Sequence, residues 1–183
     1  FPLTHSYTSL GAFNMVITAV GTNDCSITKT YLIKNESNPS GGLVSPGSTT
    51  NLCAPTSSIE FELSNWGRNS PGTTYTINYG DGSPPIILLQ SNLIQSSFYN
   101  STTPNASLNY PVPHTYTLTT CPNAGITAQL IISNSCGTTN STISPIVILK
   151  PPTPNFTNPP ITCVGSCVLF TNTSIPAYGV DCA

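Results

Sequence analysis

Three kinds of side chain in this sequence could do chemistry: a carboxylate held between glycines, two imidazoles, and a set of thiols. The carboxylate is Asp81, in the run Tyr79-Gly80-Asp81-Gly82-Ser83. It could act as a general base or bind calcium. Calcium takes roughly six to eight oxygens, several of them from carboxylates. The six acidic residues are Asp24, Glu36, Glu60, Glu62, Asp81 and Asp181, and only Glu60 and Glu62 are close neighbours, on one face of one strand. Asp-Gly is also a turn signal, because Asp accepts hydrogen bonds from nearby backbone N–H groups and Gly tolerates positive φ. Gly80, Asp81 and Gly82 are therefore expected to form a structural turn. The imidazoles are His5 and His114, each two positions before a tyrosine, in His5-Ser6-Tyr7 and His114-Thr115-Tyr116. Either could be a general base, but residues that recur together at a fixed offset are more simply parts of a repeated scaffold. No Ser or Cys stands in a nucleophile elbow and no Gly-rich phosphate loop occurs. No catalytic residue, no metal and no cofactor is expected.

Seven cysteines in a chain with only 5% charged residues point to an oxidising compartment and disulfides. The close pair Cys163 and Cys167 lacks the second pair or nearby histidine that structural zinc needs. An odd count leaves at least one thiol free or paired outside the chain.

The elements that must hold these residues read as strands. Ile59, Phe61 and Leu63 alternate with Glu60 and Glu62; Tyr75, Ile77 and Tyr79 alternate with Thr74, Thr76 and Asn78; Ile126, Ala128, Leu130 and Ile132 alternate with Thr127 and Gln129. Phe13, Met15, Ile17 and Ala19 do the same, with 27–33 as the strand that closes that segment. Eighteen prolines interrupt most helical windows. Residues 36–52 and 150–160 read as linkers rich in Pro, Gly, Ser and Asn, and 99–113 reads as a long exposed loop, a surface suited to sugars. Trp66, the only tryptophan, falls after the 59–63 strand, where it could pack in a core or between domains, or stack on a sugar ring.

The same signals recur at a nearly constant offset. It is 109 from His5 to His114, 111 from Cys25 to Cys136, 110 from Cys53 to Cys163 and 109 from Phe61 to Phe170. A period near 110 is about the size of one immunoglobulin-like sandwich. The chain divides into the C-terminal half of a domain (1–37), a complete domain (38–150) and the N-terminal part of another (151–183). Either partial piece alone would leave an open sheet edge, so the expectation is that the missing sequence belongs to a longer polypeptide or that neighbouring subunits complete one another's half-domains by strand exchange.

Ser (23), Thr (27) and Asn (18) supply the polarity that charge does not, and the net charge is −2. No basic cluster exists to bind nucleic acid and no apolar run is long enough to insert into a membrane. Asn35, Asn100, Asn105, Asn140, Asn155 and Asn172 open Asn-x-Ser/Thr sequons, a number that chance alone would give in so Asn- and Thr-rich a chain.

Tyr79-Gly80-Asp81-Gly82-Ser83, followed by His114-Thr115-Tyr116 and a closing pair of strands, resembles the PKD domain, whose signature is Trp-x-Phe-Gly-Asp-Gly and then His-x-Tyr. Ile77 and Tyr79 stand here at the two aromatic positions. Pro71–Thr76, Asn134-Ser135-Cys136-Gly137 and Phe170–Ser174 are similar to segments of PKD arrays in large Bacteroidota surface proteins, including gliding-motility-associated adhesins. The resemblance implies tandem Ig-like, PKD-type β-sandwiches, one complete and two partial, outside the cell. It implies a structural or adhesive filament or stalk whose partners are adjacent repeats, copies of itself, and glycans. A spacer or carbohydrate-binding accessory region of a secreted polysaccharide-degrading enzyme is the alternative. Tyr7 and Tyr116 would be corner tyrosines, anchored with His5 and His114 to the backbone. In that strand order Cys53 and Cys121 share one pole of the sandwich and are expected to pair, while Cys25 and Cys182 would link neighbouring halves.

Overall fold

The structure, a computed structural model, describes residues 2–50, 52–55, 57–120, 125–158 and 161–176. It is all-β. In chain order the strands are β1 (Gly11–Val20), β2 (Ser26–Asn35), β3 (Gly42–Val44), β4 (Leu52–Cys53), β5 (Ser57–Ile59), β6 (Glu62–Ser64), β7 (Thr74–Asn78) and β8 (Ile86–Leu89). After the single helical turn α1 (Gln90–Leu93) come β9 (Tyr110–Pro111), β10 (His114–Tyr116), β11 (Ile126–Asn134), β12 (Gly137–Ile146), β13 (Ile148–Leu149), β14 (Phe156–Thr157) and β15 (Thr171–Asn172). No helix among the described residues is long and apolar enough to cross a membrane.

Residues 42–149 form a β-sandwich. One sheet has the order β12-β11-β7-β8 and the facing one β3-β6-β9. Period-two alternation produces the core. Tyr75 and Ile77 of β7 and Ala128, Leu130 and Ile132 of β11 point inward and meet Leu43, Phe61 and Leu63 from the other side. The register Leu130↔Ile77 and Ile132↔Tyr75 aligns the two inward rows. A one-residue slip would turn them to solvent. Two short pairs close the flanks: β5 with β10, antiparallel, and β4 with β13, parallel.

Two expectations are corrected. The 59–63 run is not one strand. Ile59, Phe61 and Leu63 are all buried as the alternation requires, but Ile59 pairs with His114 whereas Leu63 pairs with Leu43 and Tyr110. The chain crosses between sheets at Glu60–Phe61, so one alternating run serves two hydrogen-bond ladders. Residues 36–52 are not merely a linker. Leu43 is buried, β3 pairs with β6, and the Ser37 and Ser40 amides donate to the Ser70 hydroxyl and the Asn69 side-chain oxygen at 2.7 and 3.0 Å.

Outside the sandwich, β1 and β2 form a long hairpin whose strands pair with each other. Its register puts Phe13, Met15, Ile17 and Ala19 on the same face as Ile33, Tyr31 and Ile27. Met15, Ile17, Ile27 and Tyr31 are exposed there. At the other end β14 pairs with β15, extended by a bridge from Thr153 to Ile175, and the Phe156 and Phe170 rings are each 60% exposed.

Candidate functional site

The Gly-Asp-Gly turn and the His-x-Tyr strand, distant in sequence, meet in space. Gly80 follows β7 with φ +81°, and a side chain there would collide with the Thr127 carbonyl of β11. Only glycine lets the turn lie this close to the neighbouring strand. The turn aims Asp81 at β10. Its Oδ2 lies 2.8 Å from His114 Nε2, and its Oδ1 accepts from the Ser83 amide at 3.0 Å and the Ser83 hydroxyl at 2.6 Å. Both side chains are largely covered, Asp81 to 14% and His114 to 16% exposure. Burial pushes the Asp81 pKa up, but the hydrogen bonds from the Ser83 hydroxyl, His114 and the Ser83 amide, with the His114 charge, outweigh it and hold the carboxyl below its ordinary value of 3.8.

The His114 ring lies flat on Tyr79, centroids 3.9 Å apart at 7°, and stands edge-on to Tyr116 at 4.7 Å and 85°. The two tyrosines brace the turn from below. Tyr116 donates its hydroxyl to the Tyr79 carbonyl at 3.0 Å, and Tyr79 donates to the Val112 carbonyl at 2.9 Å. Tyr116 is thus anchored to backbone, but at the end of a distant strand rather than a few residues upstream. Burial raises the Tyr79 hydroxyl to about 12. Burial, and then the charge of Asp81 and the neighbouring Tyr79, push Tyr116 higher still. Both remain neutral donors at ordinary pH.

Ser83, Asp81 and His114 are the side chains of a hydrolytic triad in the wrong order. Nucleophilic catalysis needs the imidazole between hydroxyl and carboxylate, so that it can take the hydroxyl proton. Here the carboxylate sits in the middle and the hydroxyl donates to it directly. The arrangement ties a turn to a strand. Among the described residues no three His, Cys, Asp or Glu side chains converge as a metal site.

His5 and Tyr7 reproduce part of this geometry. Their rings meet edge-on at 4.7 Å and 83°, and Tyr7 stacks on Phe13 at 4.8 Å. His5 is exposed.

Cys25, Cys53, Cys136, Cys163 and Cys167 are free, exposed thiols. Cys121 and Cys182, the partners expected for Cys53 and Cys25, lie outside the described residues. Asn105, Asn140, Asn155 and Asn172 are all exposed on the surface. Asn35 is part-buried, its amide nitrogen donating to the Ser9 and Tyr7 carbonyls at 2.7 and 3.3 Å. Asn100 accepts from the Thr102 and Thr103 amides, which turns the chain there.

Trp66 is core, 1% exposed, with its indole N–H on the Leu108 carbonyl at 3.1 Å and its ring between Tyr99 and Tyr110. The 99–113 segment, expected as an open loop, folds over it. Sequence reasoning missed a buried polar chain beside Trp66: Asn69 donates to the Tyr75 hydroxyl, which donates to Gln90 Oε1, both at 2.6 Å. Gln90 Nε2 is buried without a partner. No pattern marks these residues, because Asn69 lies in the loop between β6 and β7 and Gln90 in a single helical turn, where neither has a strand period to break. A groove of about 590 Å³ runs along the foot of the hairpin, lined by Lys34, Glu36, Arg68, Asn69, Tyr99 and neighbouring residues. No protein-family model matches this sequence, and no curated protein matches it either.

Proposed function

We propose that this chain is part of a structural and adhesive extracellular protein: a surface filament, pilus-like fibre or stalk built from Ig-like, PKD-type modules in series, without enzymatic activity. The observation that carries the reading is the Asp81–His114 clasp. The most chemically capable side chains of the sandwich have their polar atoms bound inside the fold, where they fix the turn between β7 and β8. The recurrence of the His-x-Tyr ring geometry at His5 and Tyr7 supports a serial arrangement. So does a surface whose polarity comes from Ser, Thr and Asn. The test is electron microscopy of native, unreduced material with mass analysis before and after reduction. Regular fibres are expected; dispersed globular particles would overturn the structural role. The groove beside Tyr99, with Lys34, Glu36 and Arg68 around it, favours a second reading, a carbohydrate-binding accessory region of a secreted polysaccharide-degrading enzyme. Saturable quenching of tyrosine or Trp66 emission by an oligosaccharide would support it.

A further inference from the structure

We propose that the groove between the foot of the β1–β2 hairpin and the sandwich binds an anionic glycan, one whose sugar rings carry carboxylate or sulfate groups. Lys34 and Arg68 take the charge and Tyr99 takes the face of a ring. The inference deepens the carbohydrate-binding reading of this groove, rests on it, and names the class of sugar.

Charge is so scarce in this chain that its placement is informative. Four Lys or Arg and six Asp or Glu are spread over 183 residues, and between positions 69 and 149 Asp81 is the only one. Yet Lys34 and Arg68, half of the basic residues, line one groove of about 590 Å³, a volume within the roughly 300–1,000 Å³ of ligand pockets. Both side chains are exposed. Among the described residues the ion pair is that of Asp81 with His114, so neither cation has a carboxylate partner there. Glu36, the acid of the groove, is half-buried and accepts the Ser135 hydroxyl at 2.5 Å. Two cations against one acid leave this groove with an excess of positive charge in a chain whose net charge is −2.

The neutral polar side chains of the groove are spent inside the fold. Asn35 donates to the Ser9 and Tyr7 carbonyls. Asn69 donates to the Ser40 carbonyl and the Tyr75 hydroxyl and accepts from the Ser40 amide, and the Ser70 hydroxyl accepts from the Ser37 amide at 2.7 Å. A neutral sugar, read by hydroxyl and amide groups, finds few of them free; an anionic sugar finds two cations. Arg68 offers a planar fork that matches a carboxylate or sulfate through two parallel hydrogen bonds, and Lys34 a point charge. The backbone of the walls is used as well. Gly11 pairs with Asn35 and Ala12 with Lys34, while the Asn69 and Ser70 amides donate to the Trp66 carbonyl and the Ser37 hydroxyl. An extended peptide, which needs free backbone partners along a wall, is thereby disfavoured. Leu10, Ala12, Pro71 and Pro104 add apolar surface for the C–H face of a sugar. Tyr99, its ring leaning on Trp66 at 5.9 Å, adds an aromatic one. The walls are fixed before a ligand arrives: reciprocal Ser37–Ser70 hydrogen bonds, and the Asn134 side chain on the Ser37 carbonyl at 2.8 Å, tie the hairpin foot to the sandwich. Such preorganisation lowers the cost of binding.

The test titrates the full chain, by calorimetry and Trp66 emission, with an oligogalacturonate and with the same oligomer methyl-esterified, which keeps the backbone and removes the charge. A sulfated oligogalactan and its desulfated form make the second pair, so the two arms separate carboxylate from sulfate. In at least one pair the charged form is expected to bind about tenfold or more tightly than the neutral one, and to lose most of that advantage between about 50 and about 500 mM salt. Arg68→Gln and Lys34→Gln should each weaken it by about fivefold or more, and Arg68→Lys by less than Arg68→Gln. Lys150→Gln, at a basic residue outside the groove, should leave it unchanged. Emission from Trp66 in the free variants checks that the sandwich is intact. Equal affinity for charged and neutral forms, or undiminished binding by a variant lacking both Lys34 and Arg68, would overturn the anionic site and leave the carbohydrate-binding reading standing. Binding of none of the four oligosaccharides would remove both. A polyglutamate peptide that binds more tightly than either charged glycan would replace the sugar with an acidic polypeptide and overturn the inference.

Discussion

Asp81 sets how the sandwich responds to acid. Its folded pKa lies below the ordinary value of 3.8, so the unfolded chain binds its proton first as pH falls. The stability it contributes is complete above about pH 4 to 5 and is lost as pH drops through the folded pKa. Tyr79 and Tyr116 act on the alkaline side. Raised above 10, they contribute stability that is complete below pH 10 and lost above it. We expect thermal melts to show a plateau between these limits. Asp81→Asn should cost about 1–3 kcal/mol at neutral pH and flatten the acid limb; an unchanged acid limb would show that the clasp does not control it. The two halves of the clasp are legible as motifs, since Gly-Asp-Gly and His-x-Tyr each carry a local signal. Their meeting is not, because the Asp81–His114 contact depends on how β7 and β10 are placed by the rest of the sandwich. The buried Asn69–Tyr75–Gln90 chain has no local signal at all.

At the scale of elements, alternation identifies which residues face inward but not which ladder they join. Ile59, Phe61 and Leu63 form one inward row split between β5 and β6, and no local propensity separates a strand that continues from one that changes sheets. Strand β3 is silent for another reason: so short a strand amid Ser, Pro and Gly has too little period to register. Its burial makes a sharp expectation. Leu43→Ala should destabilise the sandwich by about 2–4 kcal/mol, read as a lower urea midpoint by Trp66 fluorescence. A change below about 0.5 kcal/mol, what a surface substitution gives, would return residues 36–52 to the role of a linker.

The whole molecule is uneven. Residues 42–149 share one core, whereas the hairpin and the β14–β15 pair expose theirs. Local stability follows buried contacts. In dilute solution the amides of β7 and β11 should therefore exchange with deuterium at least ~100-fold more slowly than those of β1 and β2. Equal protection across all four strands would mean that the hairpin is covered even in a single copy. The offset near 110 makes the unevenness readable, because the outer segments repeat parts of the sandwich without repeating β7. How each piece sits with its exposed face cannot be read from spacing.

The pairing of β4 with β13 has a mechanical consequence. These strands are parallel, Leu52 beside Ile148 and Cys53 beside Leu149, joined by the Leu52 amide to the Val147 carbonyl at 3.4 Å and the Ala54 amide to the Leu149 carbonyl at 2.9 Å. One lies near the point where the chain enters the sandwich and the other where it leaves. Once β3, which precedes β4 and pairs antiparallel with β6, has given way, a pull on the two chain ends drags β4 and β13 past one another along their length, so these hydrogen bonds and the Leu52–Ile148 pair are loaded in shear and yield together. An antiparallel pair at the same place would unzip one bond at a time under a far smaller force.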